Sequence, residues 1–314
     1  MNRMRGIALL VALILVALAT AIAGAIVFDT GLGLRRAEGG AAQDQALQLA
    51  AGAEAIAAQI LVEDLASGTT TIHDGQRWRN PIGPLEPLEG VRLTAQLTDL
   101  QGRFNLNSLV DADGRAVPQA IEVFRRLLTG LELEPEWAER MADWIDADDQ
   151  ALPGGAEDAV YSGSVPSYRT PNRPVTSITE LLALGDFGAE RYAKLAPFVA
   201  ALPRDAVVNV CTASAELLDA LSGERQWRDA PEALRRGRER ECFPSLDAWR
   251  TTLGQERFEA LQRSIGLGDR STHFRLDVET AVGSTGFTLY SLMRATPAAE
   301  GPTRVRVMSR QFAE

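Results

Sequence analysis

The stretch DWIDADDQALPGGAEDAVYSG, residues 143–163, gathers Asp143, Asp146, Asp148, Asp149, Glu157 and Asp158 with no lysine or arginine among them. Carboxylates this close repel one another unless water or a cation neutralises them. Hard oxygen donors on a glycine-containing loop are what Ca²⁺ requires. With Asp146 as first ligand, Asp148 falls at position three, Gln150 at five and Glu157 at twelve of a calcium loop. Position six is Ala151 where an EF-hand turns on glycine, Pro153 stands at eight, and no clear second helix follows, so the stretch is not an EF-hand. The expected ligands are Asp146, Asp148, Glu157 and Asp158, with Asn172 a further candidate. Their expected role is structural: the loop 148–174 is long, rich in glycine and proline and short of apolar side chains, and a metal there replaces missing core. Two other readings stay open at this point, a solvated acidic loop at the end of the helix holding Trp144 and a carboxylate pair for hydrolysis.

Little else in the chain suggests catalysis. Two histidines, His73 and His273, and two cysteines, Cys211 and Cys242, are too few for a Cys/His zinc site, which needs four ligands or three plus water. No Gly-rich phosphate loop and no HExxH occurs, and two distant histidines make a catalytic triad a poor fit. A formal charge of −10 over 314 residues argues against a nucleic-acid surface, which needs clustered lysine and arginine. Arg235, Arg236, Arg238 and Arg240 are interrupted by Glu239 and Glu241 and read as a solvated helix face.

The elements that must hold the acidic stretch begin with MRGIALLVALILVALATAIAGAIVF, residues 4–28. From Gly6 to Phe28 it carries no charge, which is longer than the apolar region of a cleaved signal and matches the roughly 20 residues a helix needs to cross a bilayer. Arg3 and Arg5 are expected to stay in the cytoplasm, which sends the bulk of the chain outward. Beyond a glycine-containing stretch at 29–40 the helical idiom resumes, with Ala46, Leu49, Ala53, Ile56, Ile60 and Leu61 as one apolar face. In an exported domain Cys211 and Cys242 are expected to pair.

Further on, TTTIHDG (69–75) reads as a short β run, NPIGPLEPLEG (80–90) as a loop, and VRLTAQLTDL (91–100) as a half-buried strand. STHFRLDVETAVG and TGFTLYSLMRA form a hairpin across 283–286, and TRVRVMSRQF supplies a third strand. Between these lies a helical, loop-rich stretch with helices predicted in AVPQAIEVFRRLLTGL, PEWAERMADWID, SITELLAL, ERYAKLAPFVAAL, SAELLDAL and SLDAWRTTL. Asn107 or Ser108, and Thr212 or Ser214, are placed to cap helices. Strands, a long helical insert, then strands again imply a small sheet packed on the N-terminal helix with a helical domain inserted into it.

The leader ending in Gly6 before an apolar run, LTDLQGRFNLNSL, DWIDADDQALPGGAEDAVY, PSYRTPNRPVTSITEL and VVNVCTASAELLDAL together resemble, in order, the minor pseudopilin K family of bacterial type II secretion systems. The resemblance runs from the leader to about residue 222 and implies an α+β, pilin-like fold with a large α-domain inserted in the sheet. It implies prepilin peptidase cleavage after Gly6, leaving Ile7 as the new N-terminus, and calcium bound in the α-domain. Pilin-like proteins mostly carry glutamate at the fifth mature position; here that position is Val11. A carboxylate buried in membrane is costly and is kept where a subunit above needs its charge, so Val11 points to a cap.

The expected division is therefore a leader at 1–6, a transmembrane half-helix at 7–28, an amphipathic helix and first strands at 29–100, an inserted α-domain at 101–268 and returning strands at 269–314. The expected protein is a non-enzymatic minor pseudopilin at the tip of the pseudopilus, anchored by a single pass in the inner membrane with its C-terminal domain in the periplasm. Its implied partners are the minor pseudopilins I and J, prepilin peptidase and a secreted protein substrate, with no nucleic acid. The competing expectation is a signal-anchored periplasmic hydrolase using the acidic cluster.

Overall fold

The computed structural model of the chain describes residues 3–66, 71–283, 285–296 and 303–313. A single helix, α1 (Arg3–Ala66), runs unbroken for 64 residues, roughly 95 Å at the α-helical rise. The glycines at 31, 33, 39 and 40 do not interrupt it. Each costs about 1 kcal/mol against alanine, but long helical segments on both sides propagate through them. Residues 9–28 are exposed along their whole length, and the helix is long and apolar enough to cross a membrane. Its far half buries Ala46, Ala50, Ala53, Ala57 and Leu61. The predicted face is corrected here: Ile56 is 46% exposed, and Leu49 and Ile60 are only partly covered. A stripe of alanines lets the helix lie close on the sheet, which leaves the bulkier isoleucine outside the contact.

The sheet under α1 has five antiparallel strands in the order β1 (Ile82–Leu88), β2 (Val91–Asp99), β7 (His273–Val282), β8 (Thr285–Thr296) and β9 (Arg304–Ala313). Strand β2 alternates buried and solvent-facing residues as its pattern predicts. Two sequence expectations fail. NPIGPLEPLEG contributes β1 rather than a loop, because an edge strand with two register shifts tolerates Pro84 and Pro87. Residues 71–75 of TTTIHDG form turns, with Ile72 N–H donating to the Asp269 carbonyl at 2.8 Å; residues 69 and 70 lie outside the described set. Trp78 packs edge-on against Phe274, centroids 5.4 Å apart, closing this core.

Glu54 pins the register of helix on sheet. It is 5% exposed and accepts from the Ser291 hydroxyl and from Arg310, whose Nη2 lies 2.7 Å away. Although burial opposes ionisation, the Arg310 and Ser291 hydrogen bonds hold its carboxyl below the usual range.

Strands β2 and β7 are neighbours, with Asp99 opposite Phe274, yet residues 100–272 lie between them in sequence. That segment leaves and returns at one point on the sheet. It contains the short parallel pairs β3 (Phe104–Asn105) with β4 (Val199–Ala200) and β5 (Val208–Asn209) with β6 (Leu267–Gly268). Its helices are α2 (Pro118–Gly130), α3 (Trp137–Ile145), α4 (Asp158–Tyr161), α5 (Gly188–Leu195), α6 (Ala215–Ser222), α7 (Pro231–Arg238), α8 (Leu246–Leu253) and α9 (Gln255–Ser264). They share a core of their own, including Phe104 stacked on Phe124 at 5.0 Å. SITELLAL forms a 3₁₀ turn at Ile178–Ala183 rather than an α-helix, started by a Ser177–Glu180 capping box. Ser214 caps α6 as expected, whereas Asn105, not Asn107 or Ser108, caps the 3₁₀ turn Leu106–Leu109. Asn107 instead donates to the Val175 and Leu202 carbonyls at 2.9 and 2.8 Å.

The root of the insert is a buried polar node. Asp99 accepts from Ser271 and Thr212 hydroxyls at 2.6 Å each, from Gln101 N–H at 2.8 Å and from Asn209 Nδ2 at 3.2 Å. Cys211 and Cys242 are joined by a disulfide with Cα atoms 4.6 Å apart. Arg238 binds the same two loops, donating to Phe243 O at 3.0 Å, to Val210 O at 3.2 Å and to Ala213 O.

Candidate metal centre

Helix α3 is buried on nearly every side, and its last turn carries Asp143 inward. Asp146 follows three residues later as the C-cap, its N–H bonded to Ala142 O at 2.9 Å. Spacing of three on a helix brings two side chains to one face, so these two carboxylates converge. The chain then turns: Asp148 accepts from Gln150 N–H at 2.8 Å, and Leu152 N–H reaches back to both Asp143 oxygens at 3.2 Å. Gly155 passes so close that a Cβ there would sit 1.8 Å from Asp143 Oδ2. That approach sets Glu157, the residue before α4, against the end of α3. One carboxylate oxygen each from Asp143, Asp146 and Glu157 lie within 4.8 Å of one another.

Their exposures are 0%, 3% and 6%, and among the described residues none of the three forms an ion pair. Burial, with repulsion from Asp148, pushes Asp143 up to about 6 and Asp146 up to about 7. Glu157 rises to about 7, first by burial and then by repulsion from Asp143. Asp146 Oδ1, Glu157 Oε1 and Asn172 Oδ1 are buried without a hydrogen-bond partner. Buried oxygens of this kind are normally satisfied, and these three leave acceptor capacity that a cation could take up.

The sequence-predicted ligands separate into two groups. Asp146 and Glu157 converge, and Asn172 is tied to the turn that follows Asp146, its Nδ2 donating to Asp148 O at 3.0 Å and Asp149 Oδ1 at 3.1 Å. Asp148 and Asp158 lie outside the converging trio. Asp148 is exposed and caps its own turn, while Asp158 accepts from Thr170 N–H at 2.9 Å and pairs with Arg169 at 3.6 Å. Asp143 takes the third place in the cluster. The sequence pattern did not place Asp143 among the ligands; it stands among the same acids as Asp148, and the close passage of Gly155 together with burial is what singles it out. Trp144 packs edge-on to Tyr161 at 5.2 Å, and Tyr168 binds Ala183 O at 2.7 Å, which floors the loop with aromatic rings.

The donors are all oxygen, three of them carboxylates, on a loop with glycine at its tightest approach. This set fits a hard divalent cation and offers no thiolate or imidazole for a softer one. An approach to the carboxylates by an organic substrate is closed by their burial.

Comparison with known proteins matches residues 102–204 to the family described as "Type II secretion system (T2SS), protein K". Type II secretion system protein K of Pectobacterium carotovorum subsp. carotovorum is 33% identical over 99% of this chain and 97% of its own length. The chain belongs to the type II secretion system protein K family. The protein K of Pseudomonas aeruginosa is 32% identical over 98% of this chain and 93% of its own length. The crystal structure of the GspK–GspI–GspJ complex from enterotoxigenic Escherichia coli superposes with a TM-score of 0.74 at 25% identity, covering 89% of this chain and 99% of that one. The fold is thus pilin-like, a long N-terminal helix on an antiparallel sheet, and the chain is a minor pseudopilin carrying a helical insert.

Proposed function

We propose that this protein is a non-enzymatic minor pseudopilin at the tip of a type II secretion pseudopilus, where it starts or caps assembly for export across the outer membrane. The observation that carries the reading is the relation to protein K along the whole chain, rod and insert together. Residues 9–28 form an exposed apolar rod with no carboxylate, and Val11 stands where a repeating subunit would place a glutamate. A rod of that kind holds the chain in the inner membrane by one pass, head domain in the periplasm, until assembly extracts it. Prepilin peptidase would cut between Gly6 and Ile7. The solved relative is a complex with GspI and GspJ, so pseudopilins of those two types are the partners proposed here, with a secreted substrate as a further contact at the tip.

Calcium held by Asp143, Asp146 and Glu157, with Asn172 completing the oxygen set, is the proposed structural cofactor. It would neutralise the cluster and fix the loop 147–157 against α3. The hydrolase reading loses support from the burial of all three carboxylates. Pull-down of the full chain with I- and J-type pseudopilins, with and without a calcium chelator, tests the assignment. Capture of both partners, weakened by the chelator, is expected. Protein distributed along the pseudopilus shaft by immunogold labelling would refute the tip position.

A further inference from the structure

The two edges of the five-stranded sheet are not alike. Strand β1 carries Pro84 and Pro87, shifts register twice and is almost wholly exposed. Proline cannot donate to a ladder, and irregular edges resist further pairing. At the opposite edge β9 runs ten residues without proline and with a single register shift, at Met308, and among the described residues no strand covers its outer side.

Strand β9 also has two distinct faces. Val305 and Val307 are half-buried on the α1 side, packed on the core of the sheet. Arg304 and Arg306 are exposed on the other side, where Arg306 stands opposite Arg294 of β8 and Arg304 opposite Thr296. With Met308, these residues line a cleft of about 260 Å³. Among the described residues Arg294, Arg304 and Arg306 make no ion pair, whereas nearby Arg275 is satisfied by Asp277 at 2.7 Å. Cations directly opposite each other destabilise a ladder, and this cluster stands on a chain of charge −10.

We propose that β9 accepts an added strand from an acidic partner protein. The incoming segment alternates acidic and apolar residues, its carboxylates over Arg304 and Arg306 with Arg294 behind them, and its apolar side chains over Val305 and Val307. Main-chain hydrogen bonds supply affinity and the alternation supplies register. A second copy of this chain is the wrong occupant, because β9 carries Arg304, Arg306 and Arg310 and no acidic residue, so it brings cations and no carboxylate to the edge. An anionic lipid headgroup would satisfy the arginines and leave the hydrogen-bonding edge unused.

The test uses the full chain in detergent micelles and a fluorescent ten-residue peptide of alternating glutamate and valine. Fluorescence anisotropy should report binding that a lysine-for-glutamate peptide lacks. The R304S/R306S double variant should bind at least tenfold more weakly, and because both positions are exposed and Arg306 faces Arg294, its melting temperature should not fall below the parent's. Peptide N-methylated at alternate residues keeps its charge and loses the ladder, and it too should bind at least tenfold more weakly. Hydrogen exchange in 303–313 should slow with the unmodified peptide. Equal binding by the methylated peptide or by the double variant would overturn the proposal. So would displacement of the peptide by phosphatidylglycerol doped into the micelle, or exchange protection of 303–313 that rises with protein concentration alone.

Discussion

Replacing Gly155 with alanine is the sharpest probe of the metal centre, because it adds one methyl group and no charge. Its Cβ would fall 1.8 Å from Asp143 Oδ2 and 2.7 Å from Cγ, well inside contact distance. Asp143 is fully buried, and both its oxygens accept from Leu152 N–H at 3.2 Å, so the carboxylate cannot swing away freely. Overpacking of this kind costs about 1–3 kcal/mol, and weakening the Leu152 hydrogen bonds adds roughly 1 kcal/mol. The expected total of about 2–4 kcal/mol corresponds to a fall in melting temperature of roughly 3–6 °C at the unfolding entropy of a chain of this size. Gly163→Ala is the control: its nearest neighbour is Val160 O at 3.8 Å, so little change is expected. Differential scanning fluorimetry and calcium titration calorimetry read the two effects together. A G155A variant that melts and binds calcium like the parent would refute the packing of Asp143 against the loop and its place in the cluster.

Chelating calcium from the full chain should lower the melting temperature and open the loop 147–174 to limited proteolysis; an unchanged melt discards the structural metal. The metal-free chain should also be stabilised by acid. Asp143, Asp146 and Glu157 have folded-state values raised to about 6, 7 and 7, so the fold takes up protons more readily than the unfolded chain. That contribution is full below about pH 4 and is lost as pH rises through about 6–7. With chelator present, melting at pH 5 above melting at pH 7.5 is expected, and a flat profile would contradict it. Serine at Cys211 and Cys242 should cost about 3–4 kcal/mol in the chain-entropy model, read by urea unfolding. Arg238 bonds should keep both loops in place, so hydrogen exchange there should rise only modestly. Val11→Glu should leave membrane insertion intact and let the protein enter the pseudopilus shaft, visible by immunogold labelling.

How far the sequence reached is clearest in particular residues. Alternation in VRLTAQLTD gave β2 its buried face because a pleated strand with one wet side has no other way to sort its side chains. NPIGPLEPL read as a loop because proline argues against a strand in general, and only its edge position in the sheet makes it one. Asp143 was visible among the acids, yet nothing local distinguished it from Asp148. The choice between them fell to the close passage of Gly155 and to burial in the inserted core.

The amino-acid sequence by itself determined the rod, the inserted helical domain and the existence of an acidic oxygen-rich loop, because hydrophobic period, length and charge act over neighbouring residues. Only the tertiary structure decided which carboxylates converge, which face of α1 meets the sheet, and that β9 rather than β1 is left open. Those outcomes depend on atoms distant in the chain meeting at fixed distances, as when Asp99, Asn209 and Ser271 join in one node, and no local pattern encodes such a meeting.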